Sequence, residues 1–138
     1  MAVVEELIRV EKTGEISFGN YKLEQKEKVD DFEFKGDLYK VKTCKDITKL
    51  EKNGLFLYES VPGTTVTGLS VNKDGLKFTV EGNADAQITL ELADEAEYSI
   101  ILDGEDAGTM KTGLGGKLTL AVELTEGEQS AVIVEKID

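Results

Sequence analysis

Short alternating segments separated by regularly spaced turn signals constrain the fold of this chain more than any other feature of its sequence. After Pro62, clusters rich in Gly, Asp and Asn recur about every ten residues. Between them, apolar residues occupy every second position, as Leu76, Phe78 and Val80 do. A period of two with one apolar face is typical of a half-buried β-strand. Seven strands are therefore predicted after Pro62, at about 64–73, 75–82, 86–93, 97–102, 105–112, 116–124 and 129–136.

Seven short strands at this spacing favour two antiparallel sheets that pack face to face. Asp103-Gly104 lies between the fourth and fifth strands and can adopt the positive φ angles of a type I′ hairpin turn. The second part of the chain, residues 63–138, is thus predicted to form a β-sandwich.

A family resemblance supports this interpretation. The stretch YSIILDGEDAGTMKTGLGGKLTLAVEL, residues 98–124, resembles the closing strands of immunoglobulin-like or fibronectin-like accessory domains. The resemblance rests on the strand rhythm and on Tyr98, Asp103-Gly104, Gly108 and Gly115-Gly116. It implies an immunoglobulin-like β-sandwich, of a kind often attached to carbohydrate-active enzymes and to cell-surface or phage-particle proteins. The antibody-type Cys…Trp…Cys core is missing, because the chain has no Trp and its one Cys lies outside the region.

The sequence of residues 1–62 predicts a smaller antiparallel β unit. Apolar and polar residues alternate in several of its segments, which include residues 54–60. The segment 44–54 leaves two interpretations open. Asp46 could cap a short helix, or the chain could form a hairpin through Asn53-Gly54. We favour the hairpin because Asn-Gly is a strong turn dipeptide. The predicted fold class is therefore all-β, a small antiparallel β unit followed by an immunoglobulin-like β-sandwich.

Pro62, the only proline, marks the predicted boundary between a domain at 1–62 and a domain at 63–138. Proline forces the residue before it toward extended geometry and cannot donate to a strand ladder. Gly63 would then let the chain turn. The charge changes at the same place, from a net −2 over residues 1–62 to a net −10 over residues 63–138, which together give −12.

Charge and hydropathy exclude several classes of partner. A net charge of −12 opposes binding to nucleic acid, which requires Lys and Arg contacts to phosphate, and to anionic membrane surfaces. The sequence shows no apolar run of the roughly 20 residues that a membrane span needs, and its start lacks the basic region of a signal peptide. With the single cysteine, these features favour a cytoplasmic protein, and the family resemblance implies a particle-associated protein as the other expectation.

The chemistry of the side chains argues against catalysis. Histidine is absent, which removes Ser-His-Asp triads, Cys-His pairs and histidine-based metal sites. Cys44 lies near several lysines, which favour a thiolate, but it has no visible base and is interpreted as a small buried residue. The acidic hairpin 94–106 could bring Asp94, Asp103 and Asp106 together at a calcium ion, yet it lacks a D-x-D-x-D-G loop. We expect no enzyme activity, no cofactor and no metal.

Aromatic residues in the first unit are the candidate binding residues. Tyr39, Phe56 and Tyr58 either contact a partner or belong to the core, and Phe56 and Tyr58 are predicted to share one face of their strand. The less acidic first unit repels an acidic partner less, which makes its strands at 37–43 and 54–60 the predicted docking region. The predicted function is a non-catalytic structural or protein–protein interaction module, with a protein partner or self-association. The alternative is a carbohydrate-binding accessory module.

Overall fold

The computed structural model describes residues 3–137, which form an all-β sandwich of two antiparallel sheets. No helix occurs within this range. The strands in chain order are β1 Ile8–Val10, β2 Ile16–Phe18, β3 Glu27–Phe34, β4 Asp37–Thr43, β5 Thr48–Lys52, β6 Leu55–Val61, β7 Thr65–Asn72, β8 Gly75–Glu81, β9 Ala86–Glu91, β10 Glu97–Leu102, β11 Glu105–Lys111, β12 Lys117–Val122 and β13 Gln129–Lys136. Sheet A has the order β1-β2-β7-β8-β13-β10-β11, and sheet B has the order β12-β9-β6-β5-β4-β3.

The structure confirms the predicted strands and turns. The seven strands expected after Pro62 are β7 to β13, with ends that differ by at most two residues from the predicted ones. The segment 44–54 forms a hairpin and contains no helix, as favoured. Asn53 and Gly54 connect β5 to β6 with φ angles of 53° and 79°. Asp103 and Gly104, at 52° and 81°, likewise have the two positive φ angles that a type I′ turn requires.

The core lies between the sheets, and aromatic rings join its two sides. Tyr58 of β6 meets Phe18 of β2 edge-to-face at 5.2 Å between ring centroids, and it meets Phe78 of β8 in the same way at 5.7 Å. Such perpendicular contacts pair the positive edge of one ring with the negative face of another. Inward-facing aliphatic side chains of both sheets continue this core along the strands.

Pro62 stands where the chain crosses from sheet B to sheet A, between β6 and β7. The Val61–Pro62 peptide is cis, and Val61 ends β6 in extended geometry, as predicted. Gly63 follows directly in this crossing, and it does not adopt a positive φ. Its backbone instead packs so closely on Cys44 that a Cβ atom would collide with the carbonyl oxygen of Cys44. The glycine is therefore required for close approach of two backbone segments.

Strands from both sides of Pro62 contribute to both sheets. In sheet A, β2 pairs with β7, and in sheet B, β6 pairs with β9. The buried residues form one cluster that includes side chains from residues 1–62 and from residues 63–138. The two predicted units therefore share their sheets and their core. Independent folding of residues 63–138 stays a prediction.

A network of buried hydroxyl groups fixes the crossing. Thr48 Oγ1 donates to the carbonyl oxygen of Thr64 at 2.7 Å and accepts from the N–H of Thr64 at 3.0 Å. Thr43 Oγ1 lies 2.8 Å from Thr48 Oγ1, and the hydroxyls of Tyr58 and Ser60 each lie 2.7 Å from Thr64 Oγ1. All five residues are buried. In the crossing, the backbone of Thr64 thus takes its hydrogen bonds from the Thr48 side chain, whereas the N–H of Gly63 donates to the backbone carbonyl of Lys45.

Candidate interaction surface

The structure places two of the three predicted partner-contact residues in the core. Tyr58 is 1% exposed and Tyr39 is 8% exposed. Burial is the main cause that raises the pKa of both phenols. Tyr21 is buried as well, and its hydroxyl donates to Glu81 at 2.7 Å. These tyrosines pack inside the sandwich, so none of them offers a partner an exposed ring.

Phe56 lies on the outer surface, on the opposite side of β6 from Tyr58. In the pairing of β5 with β6, Leu50 is opposite Tyr58 and Glu51 is opposite Phe56, so Leu57 is the extra residue of a β-bulge. The extra residue breaks the two-residue alternation, and Phe56 turns to the outer face while Leu57 packs against the core. The prediction that Phe56 and Tyr58 share a face therefore fails at this bulge. Phe56 is the one of the three predicted residues that a partner can reach.

Two lysine side chains flank the Phe56 ring. The Nζ atom of Lys117 lies 5.0 Å from the ring centroid, and the Nζ atom of Lys49 lies 5.9 Å from it. These distances are within the range of cation–π attraction, which is worth about 0.5–1 kcal/mol at an exposed site. Lys49 comes from the adjacent strand β5, whereas Lys117 comes from β12 and reaches across β9. The ring is thus held by side chains from both parts of the chain.

A row of lysines crosses the same face of sheet B. Lys28, Lys42 and Lys49 stand directly opposite one another on β3, β4 and β5. Like charges in directly opposite positions destabilise a sheet. Lys28 and Lys49 have carboxylate neighbours, Asp30 at 3.7 Å and Glu51 at 3.5 Å. Lys42 forms no ion pair with any carboxylate of residues 3–137. A strongly acidic chain thus keeps a row of lysines beside its half-buried Phe56, in which Lys42 is unpaired within the described residues, whereas Lys49 and Lys117 have Glu59 and Glu91 directly opposite them on the same face.

The other predicted sites have structural roles. Cys44 is a buried free cysteine directly after β4, as predicted, and its sulfur accepts the N–H of Asp46 at 3.4 Å. Asp103 accepts the N–H of Ala131 at 2.8 Å and the hydroxyl of Ser130 at 2.7 Å. These two hydrogen bonds hold the pKa of Asp103 below its ordinary value, and the bond from Ala131 has the larger effect. No group of three or more acidic or cysteine side chains suited to a metal ion occurs among residues 3–137.

A small recess opens between the sheets beside Tyr39. Its volume is about 190 Å³, and apolar side chains such as Phe34, Leu57 and Leu69 line it. Small-molecule sites are larger, at about 300–1,000 Å³. On the rim, Lys52 and Asp37 pair with each other at 3.6 Å. The recess therefore offers little room to a ligand.

Comparisons with known proteins identify no relative of this chain. In the described part of the chain, no helix is long and apolar enough to cross a membrane. No family model matches the sequence, and neither a curated protein nor a solved structure is significantly similar to it.

Proposed function

We propose that this chain is a non-catalytic protein–protein interaction module that docks through the outer face of sheet B. The docking region, called the Phe56 surface, consists of Phe56, Lys40, Lys42, Lys49 and Lys117. The observation that carries the proposal is the bulge at Leu57, which turns an aromatic ring outward into a group of lysines. Exposed aromatic residues are enriched in protein interfaces and supply much of their binding energy.

The charges of the Phe56 surface indicate an acidic partner surface. Lys42 stands between Lys28 and Lys49 without an ion-pair partner, so an incoming carboxylate would relieve repulsion as well as form a new contact. The molecule as a whole carries −12 and repels acidic proteins. The unpaired Lys42 therefore favours the orientation that brings a carboxylate of the partner to it, since charge complementarity guides encounter and register.

A carbohydrate-binding role is the alternative that the immunoglobulin-like resemblance suggests. The two-sheet architecture agrees with that resemblance, but the strand order differs. In immunoglobulin domains the last strand lies in the sheet opposite the first two, whereas β13 lies in the sheet of β7 and β8. The Phe56 ring is also flanked by two ammonium groups, which a stacking sugar would have to displace. The contacts at Phe56 thus favour a protein partner.

Affinity capture from source lysate tests the proposal when matched variants are compared. Immobilised wild-type protein should retain a partner that Phe56→Ala and Lys42→Glu lose, with unchanged melting temperatures. Leu114→Ala removes an apolar side chain that is 84% exposed elsewhere, and Lys77→Glu makes the same charge change on the outer face of sheet A. Both control variants should retain the partner.

Three results would contradict the proposal. Capture that survives Phe56→Ala and Lys42→Glu would show that another surface binds. Selective binding on a glycan array, lost in Phe56→Ala, would favour the carbohydrate alternative. Turnover in an unbiased hydrolase or transferase screen, abolished by changing one acidic residue, would identify an enzyme.

A further inference from the structure

The sandwich has four sheet edges, and three of them carry features that hinder strand addition. β1 is only three residues long. β3 has five charged residues among its eight and a bulge where Asp31 adopts a φ of 56°. β11 has a bulge opposite Ile100, where Gly108 adopts a φ of 99° and donates its N–H to Asp106. Short length, charge and bulges are the means by which proteins protect edges from pairing with another chain.

The fourth edge, β12, has none of these features. Its sequence KLTLAV contains one charged residue, no glycine and no proline, and it pairs with β9 in an unbroken register. The N–H of Leu92 donates to the carbonyl of Gly116 just before the strand. Because hydrogen-bonded and non-bonded pairs alternate along an antiparallel ladder, the N–H and C=O groups of Lys117, Thr119 and Ala121 point away from β9. These groups form an open, regular edge.

Sheet A projects beyond this open edge. Tyr58 of β6 packs between Phe18 of β2 and Phe78 of β8, so β6 lies opposite β7. Only β9 and β12 follow β6 toward the edge of sheet B, whereas β8, β13, β10 and β11 follow β7 toward the edge of sheet A. All seven residues of β11 are exposed. β11 therefore forms a ledge that extends past β12, whereas the inner face of β10 is covered, since its Tyr98 and Ile100 are buried.

The ledge presents an apolar side chain toward the missing part of sheet B. Met110 of β11 stands opposite Tyr98 of β10, so both side chains lie on the inner face of sheet A. Tyr98 is 3% exposed, but Met110 is 38% exposed. A strand beside β12 would cover Met110 and continue the apolar row that Leu118 and Leu120 form on the inner face.

We propose that β12 accepts an extended segment of another protein as a seventh strand of sheet B. Alternate side chains of that segment would face the core between the sheets and should be apolar, as in other cases of strand addition. Its remaining side chains should be Lys or Arg, because the exposed acids Glu105, Asp106 and Glu123 outnumber the exposed lysines of β11 and β12, and because residues 63–138 carry a net −10. This site shares Lys117 with the Phe56 surface, but it uses the backbone edge of β12, whereas the Phe56 surface uses the side chain of Lys117.

A second copy of the chain fits this edge less well. Two copies could join their sheets B by pairing their β12 strands antiparallel, related by a two-fold axis perpendicular to the joined sheet. In that arrangement the ledges of both copies lie on the same side of the joined sheet. Each ledge projects past its own β12, so the two would occupy the same space. A single strand has no such conflict.

Amide hydrogen exchange measured by NMR tests the proposal at single residues. The probe is a pool of synthetic peptides of about eight residues, a common strand length, with Val, Ile or Phe alternating with Lys, Arg or Thr. We expect exchange at Lys117, Thr119 and Ala121 to slow by at least about tenfold, because free edge amides become hydrogen-bonded. Leu118 and Leu120, already paired with β9, should change little. A pool with Glu and Asp in place of Lys and Arg is the control and should give no protection.

Two variants at one position separate the backbone from the side chain. Thr119→Pro removes the N–H that points to the open edge, a position at which edge strands tolerate proline. Thr119→Ala keeps that N–H and removes only the side chain. Protection by the basic pool should persist in Thr119→Ala and disappear in Thr119→Pro, and slow exchange at Leu118 and Leu120 in both variants will show that β12 is still formed. If Thr119→Pro disrupts the pairing of β12 with β9, the exchange rates of the wild-type protein still test whether a peptide adds to β12.

Several results would overturn the proposal. Unchanged exchange at the three edge amides with the basic pool at millimolar concentration would exclude strand addition at β12. Equal protection by the acidic pool would refute the basic partner segment. Protection that develops with protein concentration, without peptide, would show that a second copy occupies the edge.

Discussion

Replacing Thr48 by Val should be among the most destabilising single substitutions in this protein, although it changes one hydroxyl to one methyl. The hydroxyl of Thr48 has one proton, which it donates to the carbonyl of Thr64. In its contact with Thr43, the hydroxyl of Thr43 must therefore be the donor. Thr43 in turn accepts the N–H of Asn20 at 2.9 Å. Thr48 is thus the shared partner of three groups: the N–H and C=O of Thr64 and the O–H of Thr43.

The expected magnitude follows from the number of groups left without a partner. Thr48, Thr64 and Thr43 have no exposed surface, so water cannot replace the lost bonds without rearrangement. A buried polar group without a partner costs about 1–3 kcal/mol, and three of them give at least about 3 kcal/mol. That is a large part of the roughly 5–15 kcal/mol by which a typical domain is stable. Thr48→Ser keeps the hydroxyl and loses one methyl group, which costs about 1 kcal/mol.

Guanidinium unfolding followed by circular dichroism gives the free energies of unfolding for comparison. The predicted order of loss is Thr48→Val, then Thr43→Val, which leaves only the N–H of Asn20 without its bond, then Thr48→Ser. Thr109→Val on the exposed strand β11 is the matched control and should change stability by less than about 0.5 kcal/mol. If Thr48→Val and Thr48→Ser unfold within about 1 kcal/mol of each other, the hydroxyl network does not hold the crossing and the reasoning is wrong.

Three further predictions follow from other parts of the structure. Gly63→Ala should lower the melting temperature by several degrees because its Cβ would collide with a backbone carbonyl, whereas Gly113→Ala, with open space around it, should not. The hydrogen bond from the N–H of Ala131 lowers the pKa of the Asp103 carboxyl group. The stability that this bond provides is therefore complete at pH values above 3.8, the ordinary pKa of Asp, and is lost as the pH falls through the lowered pKa. Asp103→Asn keeps a residue suited to the positive-φ turn, and its unfolding midpoint should therefore fall less steeply on acidification than that of the wild type. The domain boundary predicted at Pro62 implies that residues 63–138 expressed alone give a well-dispersed amide NMR spectrum; a poorly dispersed one would show that β7 and β9 need the strands β2 and β6 that pair with them.

Local patterns in the sequence were sufficient to predict the strands, because alternation and turn chemistry act over a few residues. Asn53-Gly54 and Asp103-Gly104 gave the correct hairpins for this reason. Pairing between distant strands left no comparable signal. The change in charge at Pro62 was real, but charge does not determine which strands share a sheet. Pro62 therefore marked a crossing between sheets that both parts of the chain build together.

The Phe56 surface was predicted only in part. The strands at 37–43 and 54–60 were named as a docking region, and they hold Phe56 and two of its lysines. The sequence GLFLYES does not predict the bulge at Leu57, because a bulge depends on the pairing with the neighbouring strand. The apolar side chain of Leu57 is also compatible with either face of the sheet. Lys117 was missed since it reaches Phe56 from a strand about sixty residues later in the chain. Alternating lysines at 40, 42 and 49 were the available signal, but only the register of β4 with β5 shows that they share a face.

The central position of β13 in sheet A has a consequence for synthesis in the cell. Its residues, Gln129–Lys136, pair with β8 on one side and β10 on the other. Until β13 emerges from the ribosome, β8 and β10 have no common neighbour, and the apolar face that includes Phe78 and Ile100 stays incomplete. Folding of the sandwich should therefore be completed only after β13 has emerged, and it should be slow, since a sheet assembled from distant segments must close long loops before its contacts form. Nascent chains stalled before residue 129 would expose two open strand edges to chaperones and to one another.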